Sequence, residues 1–304
     1  MYLHKDKEVF KDMIEQVSDR IGRTPAVIEK DYYVTQILRL LAGQLEACVF
    51  KGGTSLSKGF HVIDRFSEDI DITFSEHIGY SRRKKLKNVT LKEISETLEM
   101  PIVNWNSTQS DRDYNAYLFS YESVFGIQDD RIPQYVKLET ALGSYSFPTQ
   151  IVEIENYIGS YLQEKRRPEL AEAYFLGKFP MKLQSLERTY IDKVFALCDY
   201  YMSGKKKRCS RHLYDIFKLT PMIKFDSEFV KLIDEVRQHR AKMKICPSAK
   251  ENVDVSAVIL EFCNNSYYEE DYKEITSYFI SDFVPYSEAI GQMRRLAQER
   301  LFAK

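Results

Sequence analysis

The sequence lacks long apolar runs and paired cysteines. No apolar stretch approaches the ~18 residues that a membrane-spanning helix needs, and the segment MYLHKDKEVF at the start is too polar for a signal peptide. The five cysteines are widely spaced and form no Cys-x-x-Cys or Cys/His ligand pattern. These absences argue against membrane insertion, secretion, disulfides and structural zinc, and they predict a cytoplasmic protein.

A strong net charge is also missing. The 44 Lys and Arg residues are balanced by 45 Asp and Glu residues, so the chain as a whole shows no basic signal for nucleic acid. The charge is nevertheless uneven, because residues 178–250 contain 17 basic against 8 acidic residues and residues 251–304 contain 5 against 10. Such a basic region can attract a polyanion, although most basic runs are solvated surface.

Patterns of apolar residues predict the fold class. The first half mixes helical and alternating patterns, whereas beyond EKRRPE (164–169) apolar residues recur at three- and four-residue spacing. We therefore expect an α+β fold, with a mixed sheet and flanking helices in the N-terminal half and a mostly helical domain after it. The composition shift near 160–178 suggests two domains, 1–170 and 171–304.

The same patterns give element boundaries. Thr24 and Pro25 mark a helix start, as N-cap and first helical residue. Strands are predicted over 47–51, 69–74, 102–107, 114–121, 133–140 and 149–156. Helices are predicted over 7–20, 25–42, 54–60, 90–99, 181–202, 210–219, 227–239, 254–264, 270–280 and 285–301.

The segment DIDITF (69–74) carries two acids on one face. Strict alternation places Asp69 and Asp71 on the face opposite Ile70, Ile72 and Phe74. Two carboxylates at this spacing can share a divalent cation, and an oxygen-only site with few protein ligands suits Mg²⁺ bound partly by water and substrate phosphates. An isolated Asp-x-Asp on an exposed strand, however, more often serves solubility.

A glycine turn precedes this strand. Gly52 and Gly53 follow the strand-like run ACVFK, and Thr54 and Ser55 open a helical segment. Glycines allow close backbone approach, and N–H groups and hydroxyls in such a turn can bind phosphate. A lone Gly-Gly is usually only a turn, and the chain has no GxxxxGK[ST] P-loop. The combination of turn and acidic strand is more informative than either part.

Four segments carry a family resemblance: IEKDYYVTQIL (28–38), FKGGTSLSK (50–58), RFSEDIDITF (65–74) and RHLYDIFKL (211–219). They resemble the AbiEii/AbiGii toxin family, minimal nucleotidyltransferases with a fold of the DNA polymerase beta type. The resemblance spans most of residues 25–220, and RFSEDIDI is its most specific part. Beyond it, the C-terminal helices match only in general helical character.

The resemblance implies roles for the first half of the chain. It implies Mg²⁺, with Mn²⁺ as the alternative, at Asp69 and Asp71, and a nucleoside triphosphate held by Gly52, Gly53, Thr54 and Ser55. A third acid on a later strand would be Glu139, which would bind the ion that activates the attacking hydroxyl. Lys137 shares a strand face with Glu139, so a surface ion pair between them is an equal possibility.

The helical half adds further candidates. The later lysine motif of the family falls on Lys193, whose ammonium would neutralise the leaving phosphates. Arg211 and Asp215 share a helix face, and an intrahelical salt bridge is the plain interpretation of their spacing. The resemblance instead implies an active-site role for Asp215, either positioning Lys193 or orienting the nucleotide. Arg211 is also a candidate for binding the nucleotide. Arg65 either reaches a phosphate or is a surface charge.

The implied reaction is transfer of a nucleoside monophosphate from NTP to an acceptor hydroxyl, with release of pyrophosphate. The resemblance implies the tRNA 3′ end as acceptor, together with a toxin–antitoxin or abortive-infection role in phage defence and a cognate antitoxin. Basic residues favour RNA: Lys205, Lys206, Lys207, Arg208, Arg240, Lys242 and Lys244. Tyr200 and Tyr201 beside them either stack a base or belong to the core. A protein-modifying nucleotidyltransferase or phosphotransferase, and a non-catalytic nucleotide- or RNA-binding protein, remain alternatives.

Overall fold

The computed structural model describes residues 1–65, 67–126, 132–143 and 145–303. The chain divides into two compact units. The first comprises Met1–Phe60 and Ser67–Gln184, and the second comprises His61–Phe66 and Ser185–Lys304. The two domains expected from composition, 1–170 and 171–304, stay a prediction.

A mixed sheet forms the centre of the first unit. Its strands are β1 (Cys48–Lys51), β2 (Ile70–Phe74), β3 (Tyr114–Ser120), β4 (Tyr135–Ala141), β5 (Thr149–Ile154) and β6 (Phe179–Gln184). The order across the sheet is β3-β4-β2-β1-β6-β5. β1–β2, β3–β4 and β5–β6 are antiparallel, whereas β2–β4 and β1–β6 are parallel. The predicted α+β class with a mixed sheet is confirmed.

Helices flank this sheet in the first unit: α1 (Lys7–Ile21), α2 (Pro25–Gln44), α3 (Gly52–Lys58), α4 (Tyr80–Lys85), α5 (Lys92–Leu98), α6 (Tyr157–Glu164) and α7 (Pro168–Ala173). A π-helical segment, Leu86–Leu91, joins α4 to α5, and short 3-10 turns lie at Leu3–Lys5 and Trp105–Ser107. α2 begins with Pro25, as predicted, and its apolar residues share one buried core with the sheet. That shared core holds the central strands in place.

The two faces of the central strands differ in burial. Ile70, Ile72 and Leu138 are fully buried, whereas the alternate residues Asp71 and Glu139 are only half-buried. This alternation confirms the predicted period of two. We call this side of the strands, which carries Asp69, Asp71, Lys137 and Glu139, the acid face. The carboxylates therefore lie outside the core, in positions that the strand backbone fixes.

The described residues of the second unit are mostly helical, as predicted. Its helices are α8 (Leu186–Met202), α9 (Arg211–Leu219), α10 (Ser227–Ala241), α11 (Val255–Asn264), α12 (Glu269–Asp271), α13 (Ser277–Phe279) and α14 (Tyr286–Gln298). Turns of 3-10 helix lie at Thr220–Met222 and Pro247–Ala249, and Tyr272–Thr276 is π-helical. Asp226 and Asp254 cap α10 and α11 by accepting backbone N–H groups, which explains why these helices begin where they do.

Two predicted elements were wrong. The helix predicted over 181–202 begins only at Leu186, because Phe179–Gln184 alternates as strand β6 and Ser185 caps the helix by accepting from the Arg188 N–H at 3.2 Å. The strand predicted over 102–107 is an isolated bridge at Ile102 followed by a 3-10 turn. The Asn104 amide bonds backbone groups of β3 there, in place of a continuous ladder.

Three further helices, α4, α6 and α7, had no predicted counterpart. α6 is capped by the Asn156 side chain, which accepts from the Gly159 N–H at 2.6 Å, and α7 has Pro168 in its first turn. No helix that the structure describes has the length and apolar character needed to cross a membrane.

Candidate active site

The turn after β1 brings backbone directly against an acid. Gly52 has φ +79°, and a Cβ built on it would lie 2.1 Å from Oδ2 of Asp71. Both the left-handed backbone and the contact therefore require glycine at this position. Lys51 pairs with Asp71 in the register of β1 and β2, so the turn and the acidic strand form one rigid arrangement.

The hydroxyls of this turn are used inside the protein. Thr54 Oγ1 donates to the Asp69 carbonyl at 2.5 Å and lies 2.8 Å from Ser67 Oγ. Ser55 Oγ donates to the Gly52 carbonyl at 2.9 Å, and Thr54 and Ser55 are both buried. These bonds hold the segment that positions Asp69. The predicted role of the two hydroxyls as phosphate ligands stays a prediction.

Asp71 and Glu139 meet across two parallel strands. The register of β2 and β4 places them side by side, and their side chains are hydrogen-bonded. Burial raises the pKa of Asp71 to about 7, and the neighbouring charge of Glu139 adds to that shift. Burial alone would also raise the pKa of Glu139, but hydrogen bonds from Lys137 and its other neighbours lower it below its usual value. Asp71 therefore keeps its proton to a higher pH than Glu139 does.

Lys137 connects the acids. Its Nζ lies 2.7 Å from Oε1 of Glu139 and 2.9 Å from Oδ2 of Asp69. Partial burial lowers the pKa of Lys137, but hydrogen bonds to the two carboxylates outweigh this effect and raise it overall. The ion pair considered from the sequence thus exists, and it also includes Asp69, which alternation along β4 could not indicate.

The acids fit a divalent cation without forming a finished site. In the part of the chain that the structure describes, no group of three His, Cys, Asp or Glu side chains is gathered in a way that could hold a metal. The Lys137 ammonium lies between Glu139 and Asp69, so a positive group already occupies this place. Carboxylate oxygens are the ligands that Mg²⁺ and Mn²⁺ prefer. Asp69, Asp71 and Glu139 are the residues that could hold such an ion.

Tyr114 is a member of this site that sequence reasoning missed. Tyr114, on β3, has 54% of its surface exposed. Burial of part of the ring raises the pKa of Tyr114, and the charge of Glu139 and a hydrogen bond to it add to the effect. The sequence contains no signal for this proximity, because it depends on the register between β3 and β4.

A second group of predicted residues comes together in the second unit. Arg65 binds the Asp215 carboxylate through two nitrogens, at 2.7 and 2.8 Å, and Lys193 Nζ donates to Asp215 Oδ2 at 2.6 Å. Burial would raise the pKa of Asp215, but Arg65 and Lys193 outweigh burial and hold it well below its usual range. Burial lowers the pKa of Lys193 despite this pairing. We call these three residues the cationic cluster, since two cations surround one acid.

Arg211 is placed differently from the expectation. It is exposed at the first position of α9. Among the described residues, the ion pairs of Asp215 are to Arg65 and Lys193, so the intrahelical pair with Arg211 is wrong. Phe66, within the most specific motif, lies outside the described residues. Arg65 is buried, which excludes the alternative of a surface charge.

The basic residues after α8 fall into two classes. Lys205, Lys206, Lys207 and Arg208 are exposed, and Lys205 lies over the ring of Tyr200. Arg240 instead pairs with Asp192 and Asp199 and is 14% exposed, so it is a structural residue. The ring of Tyr200 also stacks on His212, and Tyr201 packs edge-to-face against Phe262 and Tyr267. The two tyrosines take part in packing within this unit.

Comparisons with known proteins identify the family and the fold of the chain. A family model described as nucleotidyl transferase AbiEii toxin, type IV toxin–antitoxin system, matches residues 36–291. Among solved structures, the chain is similar to MenT4, a nucleotidyltransferase toxin from Mycobacterium tuberculosis H37Rv. The TM-score is 0.55 at 15% identity, over 96% of this chain and 94% of that chain. At this identity the likeness shows the fold. No curated protein matches the sequence.

Proposed function

Because this chain belongs to the AbiEii family of nucleotidyltransferase toxins of type IV toxin–antitoxin systems, we propose that it transfers a nucleoside monophosphate from NTP to an RNA hydroxyl, with the tRNA 3′ end as the first candidate. Membership makes the protein a nucleotidyltransferase and a toxin, with a cognate antitoxin. The nucleotide, the metal and the acceptor belong to the proposal.

The observation that carries the proposal is the acid face. Asp71 and Glu139 are held side by side by strand register, and Asp69 is fixed before β2 by Thr54. These acids would hold Mg²⁺ or Mn²⁺, which when bound stabilises the charge of the attacking and leaving oxygens in displacement at phosphorus. A surface that served only solubility would not keep an aspartate with a pKa of about 7 against a glycine turn.

Other residues of the chain bind and position in this proposal. Gly52 and Gly53 let the backbone approach the triphosphate, and Thr54 and Ser55 complete the turn, as the family motif implies. Asp71 and Glu139 would both present oxygens to a cation, since a nearby positive charge favours the ionised form of a carboxyl. For Lys193 and Asp215, the proposal keeps the implied roles: Lys193 neutralises phosphate charge and Asp215 holds its ammonium in place.

RNA as the acceptor is supported by the exposed basic residues of the second unit. Lys205, Lys206, Lys207 and Arg208 are consecutive and exposed, and their charge would give salt-dependent binding to phosphates. Arg240 is excluded from this surface because its guanidinium is committed to Asp192 and Asp199.

The test is to incubate the purified chain with Mg²⁺, total tRNA and each of the four labelled nucleoside triphosphates in turn. The double variant Asp69→Ala, Asp71→Ala is the inactive reference, and Glu122→Ala, at a side chain 86% exposed, is the matched control for loss of an acid. We expect label in tRNA with wild type and Glu122→Ala only. The nucleotide preference appears in the same experiment.

Label on a protein in place of tRNA would support nucleotidyl transfer and show that the acceptor is a protein. Nucleotide binding without transfer to any acceptor would contradict the proposal and favour a nucleotide-sensing protein. Equal transfer by the double variant would remove the acid face from the mechanism.

A further inference from the structure

The ammonium of Lys137 takes a place that a metal ion would compete for. It contacts Oε1 of Glu139 at 2.7 Å and Oδ2 of Asp69 at 2.9 Å. One of these acids is on β4 and the other directly precedes β2, so a single lysine joins two segments of the candidate site. A carboxylate oxygen engaged by an ammonium is not free to bind a divalent ion at full strength.

The position of Lys137 is set by the fold. Lys137 and Glu139 alternate onto the same face of β4, and the parallel register with β2 places Asp71 beside Glu139. On β3 the residue opposite Glu139 is Ala116, and Tyr114 of the same strand is hydrogen-bonded to Glu139. The Lys137 side chain is 30% exposed, compared with 72% for Lys7 in a surface ion pair. Lys137 is therefore a fixed part of the acid face.

The charges of the acid face also favour a further cation. The carboxylates of Asp69 and Glu139 share the Lys137 ammonium, and the Asp71 carboxyl lies beside Glu139. Like charges at such separations repel strongly when half-buried. A divalent ion bound to the same oxygens would in turn repel the ammonium, so both cannot keep their full contacts.

We propose that Lys137 is an internal counter-cation of the acid face: it holds Asp69 and Glu139 together in the metal-free protein and leaves them when a divalent ion binds. The proposal rests on the proposed function, since it takes these acids as metal ligands. Lys137 then acts as a positioning residue that sets the affinity for the ion. Metal binding and movement of the lysine are one coupled event.

The first test measures binding of Mn²⁺ alone to the full chain by electron paramagnetic resonance, without nucleotide. Lys137→Met keeps the length of the side chain and removes its charge, and Lys137→Arg keeps the charge. Lys182→Met is the matched control, because Lys182 lies half-buried on β6 of the same sheet. We expect Lys137→Met to bind Mn²⁺ about tenfold more tightly or better, and the other two to stay within about twofold of wild type.

A second readout follows the lysine itself. Acetylation of the Lys137 amine, measured by mass spectrometry against Lys182, should increase when Mn²⁺ is added, because the released amine leaves its ion pairs. Should Lys137→Met fail to fold, Lys137→Gln replaces it in the binding measurement.

Unchanged or weaker Mn²⁺ binding by Lys137→Met overturns the proposal. So does the absence of Mn²⁺ binding by wild type and all variants, or a rate of Lys137 acetylation that does not change when Mn²⁺ is added. Neither readout uses nucleotide transfer. Tighter binding by Lys137→Met in a chain that transfers no nucleotide would therefore count against the proposed function and leave the counter-cation standing.

Discussion

The acid face and the cationic cluster shift the pKa of an aspartate in opposite directions. Asp71 has its pKa raised to about 7, whereas Asp215 has its pKa held well below the usual range. Burial pushes both upward, but Asp71 faces another acid and Asp215 faces Arg65 and Lys193. Burial alone therefore does not decide the charge of an aspartate; its neighbours do.

The difference in charge balance indicates whether each group can bind a further cation. The cationic cluster already balances its acid with two cations, and such a group keeps its geometry without a ligand. In the acid face, Asp69 and Glu139 share the single ammonium of Lys137 and the Asp71 carboxyl lies beside Glu139, so the group gains from a further cation. We therefore expect the acid face to take up a cation and the cationic cluster to keep its structure without one.

The largest effect is expected on catalysis. Asp71→Asn and Asp69→Asn should each lower nucleotide transfer by about a thousandfold or more, because the amide cannot replace a charged oxygen ligand. Labelled-nucleotide transfer measures the effect, and circular dichroism checks the fold. Unchanged turnover in both variants would show that the acid face is not the reaction site.

Asp215→Ala should cost about 3–5 kcal/mol in the free energy of unfolding, since it leaves Arg65 and Lys193 buried without their partner. Urea denaturation gives the value. The control is Glu122→Ala, which removes a surface ion pair with Lys7. The Glu122 side chain is 86% exposed, so the free energy of unfolding should change by less than about 0.5 kcal/mol. A small loss for Asp215→Ala would mean that the cluster is not a structural element.

Gly52→Ala should destabilise the protein by about 1–3 kcal/mol, because a side chain there is strained at φ +79° and would collide with the Asp71 carboxyl. Gly43→Ala in α2 is the matched change, with open space around its Cβ, and should be neutral or stabilise by up to about 1 kcal/mol. Thermal unfolding of both variants is the measurement. Equal behaviour would contradict the close approach of backbone to Asp71.

The two aspartates should also differ in the pH dependence of stability. Because the pKa of Asp71 is raised in the folded protein, its contribution to the free energy of unfolding is fully present below the unfolded-state pKa of about 4. That contribution is lost as the pH rises toward 7. Asp215 has a lowered pKa, so it contributes to the free energy of unfolding above a pH of about 4. That contribution is lost only on further acidification.

Between pH 5 and 7, wild type should therefore lose about 1–2 kcal/mol of stability relative to Asp71→Asn. The difference between the two proteins is the quantity to measure, because His4, whose pKa burial lowers to about 4, contributes with the opposite sign. Parallel stability curves for wild type and Asp71→Asn would show that the proton is not held at Asp71.

Local patterns predicted the parts of the fold that depend on one segment. Alternation placed Asp71 opposite Ile70 and Ile72, and Pro25 marked the start of α2. The family likeness then predicted the nucleotidyltransferase fold. Strand β6 was missed because its alternating residues run directly into α8, so the helical period of residues 186–202 extended over it.

The site itself depended on contacts between segments that no local pattern contains. Alternation indicated that Lys137 could meet Glu139, but its contact with Asp69 needs the pairing of β2 with β4. In the same way, the helical spacing of Arg211 and Asp215 suggested a pair, whereas the fold brings Arg65 and Lys193 to Asp215. Partners distant in sequence decided the electrostatics of both groups.

We expect the acid face to perform nucleotidyl transfer with a divalent cation. Pyrophosphate release is the measurement that decides this, because it requires no knowledge of the acceptor's identity. With the four nucleoside triphosphates, total RNA and Mg²⁺, we expect steady release by wild type, loss of release on addition of EDTA, and no release by Asp71→Asn. Equal release by wild type and Asp71→Asn, or release that EDTA leaves unchanged, would contradict it.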